Sequence, residues 1–232
     1  MGMRINIAVA VGVVIAAGVG ALVMVQRPES ATEQPIYLQN NNYLLQKELY
    51  DLYRTSHADV VMLGDSHIHG ANWNELLGHN DIVNRGIRGD ITSGFLNRIE
   101  QVTRLHPRMC FIMGGINDLY ASYSPKQITE NIAQIVQHLR TAGIVPVAQT
   151  VMFVDLSYSN AGNINRQVSE LNNLLKQYAT AANIRCIDVN AQVCRGNFLR
   201  REFTVDGIHL NAAGYRVWSN EVEKIIRGNG LE

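Results

Sequence analysis

Val60-Val61-Met62-Leu63-Gly64-Asp65-Ser66 runs from an unbroken apolar stretch into a glycine, a carboxylate and a hydroxyl. A strand with one wet face alternates apolar and polar residues, so a short continuous apolar run predicts a strand buried on both faces. Four more runs follow the pattern: Ile82-Val83, then residues 109–113, 144–148 and 184–189. Between and after them, helical patterns cover residues 92–105, 125–142, 164–182 and 212–226. Strands alternating with helices predict an α/β fold, with a mostly parallel five-stranded sheet covered by helices on both faces. Pro146 fits poorly inside a central strand and is expected near a strand start or an edge.

Upstream of this rhythm, Leu38, Leu45, Leu49, Leu52 and Tyr53 recur at roughly helical intervals and predict a first helix packed on the domain. Residues 27–35 are polar and carry Pro28 and Pro35, the composition of a linker. Before it, no charge occurs from Ile5 to Gln26, with Arg4 and Arg27 at the two ends. At helical rise this stretch reaches roughly 33 Å, near the thickness of bilayer hydrocarbon. Residues 1–26 therefore read as a signal anchor or a cleaved signal peptide, with a buried core helix as the third reading. Either of the first two carries the domain out of the cytoplasm, anchored to the membrane by the N-terminal helix or secreted or periplasmic after cleavage. The domain organisation is 1–26 anchor or signal, 27–35 linker and 36–232 a single α/β domain, a length that suits one substantial core.

Charge excludes one class of function. Twenty Lys and Arg balance twenty Asp and Glu, and no basic block stands out, so a nucleic-acid partner is not expected. Cys110, Cys186 and Cys194 make neither a metal motif nor an even disulfide framework. Buried thiols are the reading for Cys110 and Cys186, and a Cys186–Cys194 bridge stays open.

In an open α/β sheet, ligand sites form outside the carboxyl ends of the strands. The suggestive residues fall there: Gly64-Asp65-Ser66, then residues 84–90 with Gly86 and Gly89, then Gly115-Ile116-Asn117-Asp118, and finally Asp206-Gly207-Ile208-His209. Ser66 alone would be no more than a helix cap. With a base, a carboxylate to orient that base and donors for an oxyanion, it becomes a candidate nucleophile.

These four blocks, in this order from about Asp59 to the C-terminus, resemble those of the GDSL/SGNH hydrolases. The resemblance implies a three-layer flavodoxin-like fold and ester hydrolysis with no metal or other cofactor. It maps Ser66 to the nucleophile, His209 to the base and Asp206 to its orienting carboxylate. Ser66, Gly89 and Asn117 become the oxyanion donors, with Gly86 as a second candidate glycine. The partners it implies are a small-molecule or glycan ester as substrate and, through the N-terminal helix, a membrane.

One departure is His67-Ile68-His69, where relatives commonly place an apolar residue and then a small one. Histidines two apart can ligate a metal, and Asp65-Ser66-His67 has the look of a metallophosphoesterase strand end. That class needs further ligands in later loops; the sequence has Gly89-Asp90 but no Gly-Asn-His block, so the ligand count falls short. The competing expectation is that His67 begins a helix and His69 lines its solvent face. His57, His79, His106 and His138 read as structural or exposed. For the substrate, the polar stretch 153–165 and possible stacking by Trp73, Tyr120 and Tyr123 favour a carbohydrate acetyl ester. A lipid or thioester acyl group remains the alternative, and a non-catalytic glycan-binding module or an acyltransferase partner the rival of another class.

Overall fold

The computed structural model describes residues 34–231, so the segment read as anchor or signal, and the linker as far as residue 33, lie outside the described residues. Among the described residues no helix is long and apolar enough to cross a membrane.

After a 3₁₀ turn at Ile36–Gln39 comes helix α1 (Asn41–Leu52), then β1 (Val60–Gly64), α2 (Ser66–His69), α3 (Trp73–Leu77) and β2 (Ile82–Gly86). Two short helices follow, α4 (Thr92–Asn97) and α5 (Glu100–Thr103), leading to β3 (Met109–Met113), α6 (Ile116–Tyr120) and α7 (Pro125–Thr141). The chain continues through β4 (Val145–Gln149), α8 (Ala161–Ala181), β5 (Arg185–Ile187) and α9 (Asn190–Val193). A small hairpin of β6 (Cys194–Arg195) and β7 (Phe198–Leu199) precedes the final helix α10 (Ala212–Gly228).

The five long strands form one sheet in the order β2-β1-β3-β4-β5, every pairing parallel. Strand order therefore reverses about β1, and the connections leaving β1 and β3 diverge to open a crevice at their carboxyl ends. The unbroken apolar strands follow from two cores. Val61 and Leu63 of β1 join Cys110 and Ile112 of β3 on one face, under α7 and α8. Val60 and Met62 join Met109, Phe111 and Met113 on the other, against α3 and α10. Each fully buried aliphatic or aromatic side chain contributes about 1.5–3 kcal/mol, so neither face could turn polar cheaply.

Local signals place the helices. Pro125 occupies the first turn of α7, and Ser124 with Gln127 forms a reciprocal capping box. Its Ile128, Ile132, Ile135 and Leu139 repeat at helical spacing into the first core. Trp218 of α10 meets Trp73 of α3 edge-on at 4.8 Å in the second.

Three expectations need correction. The single helix over residues 92–105 is broken into α4 and α5 at Arg98-Ile99, where the Arg98 guanidinium turns inward to Asp90 and to the carbonyls of Arg85 and Gly64. Strand β2 extends past its apolar pair into Asn84 and Arg85, because it lies at the sheet edge. There Asn84 bonds the carbonyls of Ile68 and Ala71, and Arg85 lies over the Tyr50 ring. Trp73, considered above as a stacking surface, is fully buried. Pro146 sits second in β4, an inner strand, but pairing with β5 begins only at Val147, so no ladder bond is lost on that side. Cys110, Cys186 and Cys194 are all free thiols.

Gly64 ends β1 where backbone and helix crowd together. A Cβ built there would lie 2.2 Å from the Met113 carbonyl oxygen and 2.4 Å from Ile68 Cγ1. We expect Gly64→Ala to destabilise the protein by about 3 kcal/mol, read as a lower urea midpoint, because a backbone oxygen cannot swing aside. An unchanged midpoint would refute this account of the glycine.

Candidate active site

Asp65 caps α2, its Oδ1 accepting the His67 N–H at 2.9 Å, and so turns Ser66 out at the carboxyl end of β1. Opposite, residues 204–210 form a loop pinched by a bridge between Thr204 and Leu210. The Thr204 hydroxyl donates to the His209 carbonyl at 2.8 Å and accepts the Gly207 N–H at 2.9 Å. Gly207 has φ +93°, a conformation L side chains rarely adopt.

Inside that loop Asp206 does two jobs. Its Oδ1 accepts the N–H groups of Ile208 (2.9 Å) and His209 (2.8 Å), an Asx-type turn. Its Oδ2 lies 2.7 Å from His209 Nδ1, and His209 Nε2 lies 3.0 Å from Ser66 Oγ. The spacing of two residues between Asp206 and His209 is what lets one carboxylate hold both the turn and the ring. With Nδ1–H donating to the carboxylate, Nε2 is left as an acceptor facing the serine hydroxyl. Burial works against the Asp206 charge, but the bonds from the His209 ring and the two N–H groups outweigh it and hold the carboxyl down at about 2. Asp206 is thus ionised throughout the neutral range.

Donors converge from two other loops. The amides of Ser66 and Gly89 have no hydrogen-bond partner among the described residues. Gly89 carries φ +71°. Gly86 differs: its N–H is taken by Asn84 Oδ1 at 2.7 Å, and its carbonyl accepts the Tyr50 hydroxyl. Gly89 is therefore the glycine of this loop with an amide to offer. Asn117 Nδ2 donates one hydrogen to the Asp90 carbonyl at 3.0 Å, which leaves the second for a ligand.

Buried carboxylates that the sequence did not flag hold these loops. Asp90 is pushed up to about 7 by burial, against the opposing pull of its 2.8 Å bond to Arg98. Asp118 is raised by burial to about 6, against bonds from the Thr92 hydroxyl and N–H. Only their place beside Gly89 and Asn117 could have singled them out.

The two histidines after the serine are not a solvated pair. His67 is buried, its Nδ1 3.3 Å from Asp65 Oδ1 and its Nε2 3.1 Å from the Ile208 carbonyl, and His69 is half-buried with Nδ1 3.2 Å from the Gly86 carbonyl. Tyr120, by contrast, is 40% exposed, with its ring 6.4 Å from that of Tyr158. Tyr158 packs beside Gly207, so the pair of rings lies next to the Asp206 loop. Tyr123 and Tyr158 are both partly buried against the first core. Prominent clefts of the described surface lie away from Ser66; one, of about 510 Å³, sits at the amino ends of β1 and β2 and is lined by Asp59, Asp81 and Ile82.

Residues 62–217 match the family described as GDSL-like lipase/acylhydrolase. A GDSL-like lipase from Bacteroides thetaiotaomicron VPI-5482 shares the fold at TM-score 0.70 and 21% identity, over 81% of this chain and 98% of that one. A variant of an acetyl-xylooligosaccharide esterase from Geobacillus Stearmophilus does so at TM-score 0.60 and 17% identity, over 77% and 97%. The lipoprotein YqeF of Bacillus subtilis (strain 168) is 30% identical over 117 residues, 40% of this chain and 48% of that protein. The chain spans less than half the length of the curated relatives it matches.

Asn117→Ala removes a donor without disturbing either core. The expected result is a kcat lowered on the order of a hundredfold, with an unchanged circular dichroism spectrum. Turnover at the starting level would take Asn117 out of the site.

Proposed function

Since the chain belongs to the GDSL-like lipase/acylhydrolase family and is a hydrolase of that class, we propose that it is a serine esterase in which Ser66 is the nucleophile, His209 the general base and Asp206 its orienting partner. The observation that carries this reading is the unbroken hydrogen-bonded line from Asp206 Oδ2 through the His209 ring to Ser66 Oγ. His209 Nε2 takes the hydroxyl proton as Oγ bonds to the ester carbonyl carbon. The tetrahedral oxyanion is met by the amides of Ser66 and Gly89 and the side chain of Asn117. The C–O bond of the alcohol then breaks, the proton passes from His209 to the leaving oxygen, and a water activated by His209 releases the acid from Ser66.

For the substrate we propose an acetyl ester on a carbohydrate. Three features support it. Tyr120, 40% exposed, offers an aromatic surface for a sugar ring. Ser66 is half-buried, which suits a small acyl group on a bulky alcohol. The fold is shared with an enzyme that acts on acetylated xylo-oligosaccharides. A lipid acyl substrate is the second reading, favoured by α1: Tyr43 and Tyr50 face inward, while Leu45 (60% exposed) and Leu52 (75%) face out. The cap of that helix, Asn40, donates to the Arg88 carbonyl at 2.9 Å, next to Gly89.

We place the domain outside the cytoplasm, held at the membrane by residues 1–26 or freed by their cleavage. The uncharged apolar stretch and the likeness to a lipoprotein support this.

Ser66→Ala should abolish hydrolysis of a short-chain aryl acetate, and rates equal to the unaltered protein would remove Ser66 from the mechanism. Tyr120→Ala should raise KM for an acetylated oligosaccharide by roughly three- to tenfold while sparing the aryl acetate. If instead Leu45→Glu with Leu52→Glu selectively depresses activity on lysolipid micelles, the lipid reading replaces the glycan one.

A further inference from the structure

The mechanism above leaves His67 unused, although it touches both halves of the site. It is 2% exposed, and each ring nitrogen faces an oxygen: Asp65 Oδ1 on one side and the Ile208 carbonyl on the other. A carbonyl can only accept, and so can an ionised carboxylate. A neutral imidazole has one N–H and would turn a lone pair toward one of them; satisfying both takes two N–H groups. Asp65 points the same way. Its side chain is fully buried, its Oδ2 has no hydrogen-bond partner, and His67 is the one basic group paired with it among the described residues. A buried carboxylate without a counter-charge is strongly unfavourable.

We propose that His67 is a positioning residue held as a buried imidazolium, bracing the Asp206–His209 loop through the Ile208 carbonyl and setting a positive charge beside the catalytic base. This goes beyond the triad and rests on it only for the role of His209. The rings of His67 and His209 lie 5.4 Å apart, inclined at 36°. The groups facing His67 are Asp65 from the end of β1, Asp206 and His209 from the loop, and Tyr215 from α10, whose hydroxyl donates to the His67 carbonyl at 2.8 Å. Burial alone would pull the imidazole down. The hydrogen bond and charge of Asp65, with the Ile208 carbonyl, outweigh it and raise it.

The consequence is electrostatic as well as mechanical. In the resting enzyme the charge on His67 opposes stray protonation of His209, while Asp65 balances that charge overall. Removing His67 alone leaves Asp65 unbalanced, which favours a proton on His209 and so removes the free base at higher pH. Removing both restores neutrality but not the brace.

Nitrogen-15 NMR of the full chain, labelled at histidine, tests the charge directly. At pH 7 one buried ring should carry two N–H groups; a ring with one N–H, its other proton residing on Asp65, overturns the proposal. Kinetics test the role. In His67→Leu, the acid limb of kcat/KM should move up by about half a pH unit or more, with kcat reduced and KM held. In Asp65→Asn with His67→Leu, the limb should return toward its original position while kcat stays low. An acid limb that stays put in the single variant, or moves equally in both, refutes the electrostatic role. If these variants fail to fold, the NMR result on the unaltered chain decides. Ser66→Ala reports on the triad separately, so its failure leaves the His67 measurement interpretable.

Discussion

A single guanidinium organises the carboxyl end of the sheet. Arg98 is buried among α4, β1 and β2, where it bonds Asp90 Oδ2 and the carbonyls of Arg85 and Gly64. Those three oxygens belong to the loop that carries Gly89, to the edge strand and to the strand that delivers Ser66. Taking such a charge out of water is unfavourable by several kcal/mol unless every donor finds geometry like this. The helix breaks at Arg98, and β1 and the loop carrying Gly89 acquire a fixed separation.

The other supports are of the same kind. Asp118 ties α6 to Thr92, and Asn117 reaches from α6 to the Asp90 carbonyl, so the third loop is referenced to the second. From outside, α1 presses Tyr50 on the Gly86 carbonyl and Asn40 on the Arg88 carbonyl. A helix that the sequence suggests only as cover is therefore a buttress of the donor loop. The buried members of this set, Tyr50 and Asp118, are unforgiving, since each lacks water to fall back on.

The loop of Asp206 and His209 is built differently. It is held mainly by its own short-range bonds, with Asp206 serving turn and imidazole together, and it meets the sheet through the Asp155 N–H on the Gly207 carbonyl and through His67 on the Ile208 carbonyl. A rigid scaffold of buried charges thus faces a surface loop whose geometry is largely local. Tyr120 and Tyr158 lie beside that loop.

Fold class, the five strands and the grouping of Ser66, Asp206 and His209 as candidates were legible in the sequence, because both rest on local signals. Doubly buried strands need continuous apolar residues, and an aspartate that caps its own turn must lie within a few residues of the histidine it orients. The broken helix at Arg98, the buried trio of Asp90, Asp118 and His67, and the reason that the Gly86 amide, unlike that of Gly89, is spoken for were not legible. Each depends on which distant oxygen a side chain or amide meets: Asn84 takes the Gly86 N–H, and Ile208, 141 residues from His67, supplies its second acceptor. Sequence determines what each segment can offer. Only the folded chain decides which offers are already taken.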